Sequence, residues 1–212
     1  MTLESGPGCT TLRMTTILHG FPLSANTYRV RLFLRLLGVP HEERMVDLLR
    51  GEQRRAPFTN LNPLGLVPVL EDDGGVLRDS HAIVIDLALR HGESWLPREA
   101  AGAILQWIFF DATELHHGVG LLRNHRLIGA PIDVDATTRR ARAALDVMEA
   151  RLADHAWLEL GRPTLADIAC YPFVSVLEEA GLSPSDWPHV AAWTTRIESL
   201  PGFVPMPRIP GR

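Results

Sequence analysis

Apolar positions along the chain change their period near residue 95, and that change predicts two differently built halves. Residues 15–19 (TTILH) form a β-branched run of strand type, broken by Gly20 and Pro22. Ser24-Ala25-Asn26-Thr27 supplies helix-start residues, and Val30, Phe33, Leu34 and Leu37 then recur at helical spacing until Gly38 ends the helix. Residues 41–46 read as a second strand, and the polar stretch containing Gly51, Gln53 and Arg55 as a short irregular helix. NPLG at 62–65 is a turn. The runs 67–70 and 74–77 predict a hairpin with residues 73–75 at its tip. Asp79-Ser80 opens a helix that runs through Arg90. The order β-α-β-α-β-β-α predicts a mixed sheet with helices packed on it.

GESWLPR at 92–98 has linker character, and beyond it only helical periodicity is visible. Ala141, Leu145, Met148 and Leu152 make one stripe, with Arg140, Arg142, Asp146 and Arg151 off it. Thr164 and Asp167 have the spacing of a capping box. The expected organisation is a disordered leader over 1–14, an α/β domain over 15–91, the linker, and an all-α domain over 99–212. No internal repeat is visible.

Composition narrows the function classes. Apolar residues make up 46% and charged residues 22%, the balance of a globular chain, and the net charge of −4 provides no basic surface for nucleic acid. No apolar run approaches the ~20 residues that span a bilayer, and the N-terminus lacks the apolar core of a secretory signal, so a cytoplasmic protein with no membrane role is expected. Cys9 and Cys170 make neither a disulfide framework nor a metal-ligand spacing. Cys170 lies in an apolar helical run and reads as a buried, inert thiol. All 21 basic residues are arginine, so no lysine is present for Schiff-base chemistry.

Three local features could carry chemistry. Pro68 has no N–H and does not belong mid-sheet; it reads either as an edge-strand proline or as a cis turn that leaves the Val67 backbone free to pair with a peptide. Asp79-Ser80 at a helix start is either an ordinary cap or a seat for the carboxylate and ammonium of an amino-acid head group. A hydroxyl within Ser24-Ala25-Asn26-Thr27 either caps its helix or donates to a bound thiolate, which the helix dipole also favours. His116-His117 with Glu114 has the composition of a metal cluster, but adjacent helical histidines point apart, and no metal site is expected. Trp107, Phe109 and Phe110 read as core or cleft wall.

Taken in order, the segments TILHGFPLSANTYRVRLFLRLLG (16–38), LNPLGLVPVLEDDGGVLRDSHAI (61–83) and GRPTLADIACYPFV (161–174), with the linker GESWLPR and the tail LPGFVPM (200–206), resemble a soluble glutathione S-transferase of bacterial type over residues 15–206. The resemblance implies an α/β thioredoxin-like N-terminal domain and an all-α C-terminal helical bundle. It implies that Val67, before a cis Pro68, pairs with the cysteinyl part of glutathione. Asp79 and Ser80 would hold the γ-glutamyl head, and Gln53 would lie near the glycyl end, with Arg55 as a neighbour. Ser24 falls at the hydroxyl position of serine-type members, with Asn26 and Thr27 as rivals. Leu66 stands where a Lys or Gln is usual, which removes one polar contact to the tripeptide. Ala25 stands at the beta-type cysteine position. The end of the first long helix of the second domain would lie near the acceptor cleft, which His116, Arg123 or His125 would line, with Phe21 as a further cleft residue. Thr164 and Asp167 would serve folding.

The activity so implied is conjugation of the glutathione thiolate to small apolar electrophiles by a cytoplasmic homodimer, with glutathione as co-substrate and no permanently bound cofactor. Glutathione-dependent disulfide reduction or isomerisation, and a non-catalytic scaffold binding a ligand or partner, are the alternatives.

Overall fold

The computed structural model describes residues 15–73 and 75–209. The expected leader, Cys9 and the hairpin-tip residue Gly74 lie outside the described residues. The N-terminal part holds β1 (Thr16–Gly20), α1 (Ala25–Leu36), β2 (His41–Met45), α2 (Phe58–Leu61), β3 (Val69–Asp72), β4 (Gly75–Arg78) and α3 (Ser80–His91). The strands form one sheet in the order β2-β1-β3-β4, with β1–β2 parallel and the other two pairs antiparallel. This is the mixed sheet of a thioredoxin-like domain.

Period-2 alternation assigns the two faces of the sheet. Leu18 and Leu70 face the main core with Phe33 of α1 and Ile83, Val84 and Leu87 of α3. Val69 turns to the opposite face, where it packs with Val46 and Phe58 under α2. Gly38 ends α1 at φ 66°, a left-handed conformation that glycine adopts without a Cβ penalty.

Beyond the linker the chain is helical: α4 (Ala101–Phe110), a π-helical segment (Asp111–Gly120), α5 (Leu121–Ile128), α6 (Val134–Asp154), α7 (Leu165–Val174) and α8 (Pro188–Glu198). Every residue of α7 is buried, so α7 is the axis of this half. The capping box is present: Asp167 Oδ2 accepts from the Thr164 N–H at 2.8 Å, and Oδ1 accepts from the Leu158 N–H at 3.0 Å and from Trp193 Nε1 at 2.8 Å. Burial pushes the Asp167 carboxyl up despite those donors. Cys170 is fully buried and burial drives its thiol well above the ordinary value, in keeping with an inert group.

Two expectations change. Phe109 is 64% exposed, because Ile104, Trp107 and Ile108 take the inward side of α4 and leave it on the outward side. The His116 and His117 rings do not point apart but meet edge to face at 5.1 Å. Successive side chains in a π-helix are separated by a smaller angle than in an α-helix, which keeps neighbours closer.

Candidate active site

The strand register assembles the site at one end of the sheet. His19 of β1 lies opposite Val69, and Val69 lies opposite Arg78. The chain leaves β1, enters β3 and leaves β4 at this same end of the sheet. The turn after β1, the bend before β3 and the start of α3 therefore stand side by side. The Val67–Pro68 bond is cis. Neither the N–H nor the C=O of Val67 is hydrogen-bonded among the described residues. Asn62 Nδ2 donates to the Leu66 C=O at 2.7 Å and so braces the preceding turn, while the Leu66 side chain is 61% exposed.

At the start of α1, Ser24 is the N-cap, and its Oγ accepts from the Thr27 N–H at 3.2 Å. That bond uses an Oγ lone pair, and the hydroxyl proton stays available to a ligand. Thr27 points inward: it is fully buried, its Oγ1 accepts from the Phe21 N–H at 3.3 Å, and it occupies the space a Cβ on Gly20 would need, 2.1 Å away. Asn26 Oδ1 accepts from Arg29 Nη1 at 2.9 Å. Arg29 has only donors, so the amide oxygen must face it and the amide NH2 must face elsewhere.

Asp79 is the N-cap of α3, with Oδ1 accepting from the His81 N–H at 2.9 Å and the Ala82 N–H at 3.1 Å. It holds φ at 71°, a conformation unfavourable for a non-glycine residue and of the kind that collects at ligand sites. Ser80 is buried, and its Oγ accepts from Arg29 Nη1 at 2.6 Å. One guanidinium nitrogen thus ties the Ser24–Asn26 turn to the Asp79–Ser80 turn.

Arg29 is the centre that sequence reasoning missed. It is wholly buried, also donating from Nε to the Ala169 C=O at 3.1 Å and from Nη2 to Asp111 Oδ2 at 2.5 Å. Asp111 accepts from His81 Nε2 at 2.6 Å through the same oxygen, and its Oδ1 has no hydrogen-bond partner among the described residues. The available signal was positional. Arg29 lies four residues from both Ala25 and Phe33, on the buried face of α1.

Gln53 packs its backbone carbonyl against Gly65, 2.9 Å from where a Cβ would sit, and its Oε1 is buried without a hydrogen-bond partner among the described residues. Arg55 Nη2 donates to the Arg50 C=O. His116 is half-buried against Phe173, ring centroids 5.5 Å apart; burial, then the neighbouring His117, lower its pKa and favour the neutral ring. Phe21 is half-buried. Arg123, expected in the acceptor cleft, is instead buried and paired with Glu179 at 2.7 Å. Among the described residues no group of three or more His, Cys, Asp or Glu side chains could hold a metal ion, and no helix is long and apolar enough to cross a membrane. A cavity of about 620 Å³ is lined by residues of α5, α6 and the 178–182 turn.

Comparison with known proteins identifies the architecture. The description "Glutathione S-transferase, N-terminal domain" matches residues 18–95, and "Glutathione S-transferase, C-terminal domain" matches residues 116–201. The chain is 33% identical to Glutathione S-transferase 3 of Zea mays, over 91% of this chain and 96% of that protein. It is 31% identical to the Escherichia coli disulfide-bond oxidoreductase YfcG, over 85% and 89%. A crystal structure of a possible glutathione S-transferase from Rhodopseudomonas palustris superposes with a TM-score of 0.84 at 35% identity, over 93% of this chain and all of that one.

Proposed function

The chain belongs to the glutathione S-transferase family, and from that premise we propose that it binds glutathione across the sheet end and transfers the thiolate to a small apolar electrophile. The observation that carries the reading is the Arg29-centred row: a free Val67 backbone edge flanked by the Ser24 and Asp79–Ser80 turns, with one buried cation holding both turns. The cysteinyl segment of the tripeptide adds to the Val67 edge as a short strand. Its γ-glutamyl carboxylate takes the Ser80 hydroxyl and the N-terminus of α3, and its ammonium takes Asp79. Gln53 and the Leu66–Val67 backbone face the rest of the tripeptide, without the polar side-chain contact that Leu66 removes.

Ser24 donates its hydroxyl proton to the sulfur, and the amide NH2 of Asn26 is the second donor in reach of the same turn; Thr27 is committed to the interior. A free thiol titrates near ~8.5. Donors to the charged form and the α1 dipole both lower that value, so more of the bound thiol is ionised at neutral pH. The thiolate then attacks the electrophile, the S–C bond forms as the leaving group departs, and Phe21 and His116 wall the acceptor side. Holding both partners in the attack geometry supplies a further part of the rate. A cytoplasmic homodimer fits this reading, with the exposed Phe109 and Leu89 among the apolar side chains a second copy would cover.

Ser24→Ala tests the assignment. Conjugation of an aryl halide should fall about 10- to 100-fold, and the kinetic pKa of the thiol should rise. An unchanged rate and pKa would move the role to Asn26. Glutathione-dependent disulfide reduction is the second reading, favoured by the 31% identity to a disulfide-bond oxidoreductase. It would need no protein thiol: the glutathione thiolate attacks the disulfide, one thiol leaves, and a second glutathione resolves the mixed disulfide. Turnover on 2-hydroxyethyl disulfide against turnover on an aryl halide separates the two.

A further inference from the structure

One contact reaches the sheet-end site from the helical half of the molecule. Leu23, the residue before the Ser24 cap, turns its carbonyl toward the helical half, where Arg123 Nη1 of α5 donates to it at 2.8 Å. Arg123 Nε donates to Glu179 Oε2 at 2.7 Å, and Glu179 Oε1 accepts from the Ile209 N–H at 3.3 Å. The Arg123 and Glu179 side chains are each only 4% exposed. A buried ion pair is a poor investment for stability alone, since two apolar side chains of like volume would fill the space without desolvating charge. This pair does bring one thing an apolar pair cannot, a directed donor on a backbone carbonyl.

The Leu23 carbonyl and the Ser24 N–H belong to one peptide plane. Within the turn, the Ser24 N–H donates to the Phe21 C=O at 3.0 Å. Arg123 grips the opposite edge of the same plane from outside. With both edges held, the plane cannot rotate, and the backbone angles that place the Ser24 Oγ are fixed. We propose that Arg123 is a positioning residue for Ser24, acting through the Leu23 carbonyl, and that Glu179 keeps it aimed. The proposal rests on the reading of Ser24 as the sulfur donor. It gives the helical half a second role beyond walling the acceptor side, that of setting the geometry of thiol ionisation.

The test is the pKa of bound glutathione, read from the ultraviolet absorbance of its thiolate, in wild type, Ser24→Ala, and the charge-neutral double variant R123M/E179M. R123M/E179Q, which keeps an acceptor for the Ile209 N–H, is measured alongside in case the first does not fold. Removing both charges together avoids stranding Glu179 unpaired. The folded double variant should raise the thiol pKa by about one unit and lower kcat about tenfold, with the KM for glutathione within about threefold because the tripeptide's own contacts remain. Added to Ser24→Ala, the same replacement should produce no further rise, since the residue it positions is gone. A folded double variant with the wild-type thiol pKa overturns the proposal, as does an equal extra rise in the Ser24→Ala background. Wild type that shows no bound thiolate sinks the glutathione reading itself, an outcome distinct from either.

Discussion

Replacing Arg29 should divide stability from binding in a way that few other changes can. Arg29 and Asp111 are each fully buried, and Arg29 donates to four acceptors: Asn26 Oδ1, Ser80 Oγ, the Ala169 carbonyl and Asp111 Oδ2. R29M leaves the Asp111 carboxylate buried with His81 as its remaining donor. Stranding one member of a buried pair costs about 3–5 kcal/mol, and the orphaned Ala169 carbonyl adds about 1 kcal/mol. The expected loss is about 4–6 kcal/mol; at about 2–4 °C per kcal/mol for a chain of this length, the melting midpoint falls by roughly 8–24 °C. R29M/D111L removes the stranded charge and should recover about 3 kcal/mol of that loss. Its glutathione affinity should nonetheless stay at least about tenfold weaker, because nothing then holds the two turns together. Urea unfolding and titration calorimetry of wild type, single and double variants provide both readouts. An R29M protein within about 1 kcal/mol of wild type, or a double variant no more stable than the single, would refute the energetic reasoning. A double variant that binds glutathione like wild type would refute the claim that this guanidinium organises the site.

Three further outcomes are expected. Gly118→Ala would place a Cβ 2.7 Å from the Ala141 Cα and 2.9 Å from its N, backbone atoms of α6 that cannot swing aside; a loss of about 1–3 kcal/mol in urea unfolding is expected, and a neutral result would show that the π-helical segment can shift. Asp79→Asn keeps an acceptor for the His81 and Ala82 N–H groups but removes the charge, so stability should move by less than about 1 kcal/mol while glutathione binding weakens about tenfold or more; unchanged affinity would remove Asp79 from ammonium recognition. The His41 ring and the Arg31 fork hold the Glu43 carboxyl down at about 2, against an ordinary 4.5. Arg31 makes the shorter contacts, at 2.8–2.9 Å, with His41 at 3.7 Å. A depressed folded-state value stabilises the protein above pH 4.5, and the contribution is lost as pH falls toward 2. Glu43→Gln should therefore flatten the acid limb of the stability profile in that window, and an unaltered limb would show that the pair contributes nothing.

The parts of the fold that were legible in the sequence are those whose physics is local. The β1–α1 turn, the hairpin, the Gly38 stop and the Thr164–Asp167 capping box each reside within a few residues and carry their own composition cue. The three turns at the sheet end were visible for the same reason, each as a cap or a proline that local structure alone left ambiguous. Their joining was not. Arg29 and Asp111 are 82 residues apart, and an arginine in TYRVRLFL carries no mark that separates a buried guanidinium from a solvated one. A 3.6-residue period hides the π-helical segment and sets the His116 and His117 rings apart, whereas in the structure they meet edge to face. Arg123 is marked in the sequence only by the helix it sits on, and its buried partner Glu179 lies 56 residues away.

The polar contacts between the halves converge on the end of the sheet that carries the proposed glutathione site. Arg29 reaches Asp111 and Ala169, His81 reaches Asp111, Arg123 reaches Leu23, and Tyr28 donates to the Val204 carbonyl at 2.7 Å. In the N-terminal half these bonds end on residues 23, 28, 29 and 81, all within five positions of Ser24 or adjacent to Ser80. The sheet supplies the register that lines up three turns, but a turn at a sheet end is free to move and would hold a ligand loosely. Directed bonds to buried partners across the domain boundary remove that freedom. A thiol site that must present donors to one sulfur atom needs such rigidity, because a donor displaced by an ångström no longer favours the ionised form. On this view the helical half is part of the glutathione site as well as its roof, and the π-helical turn that brings Asp111 inward is where the two roles meet.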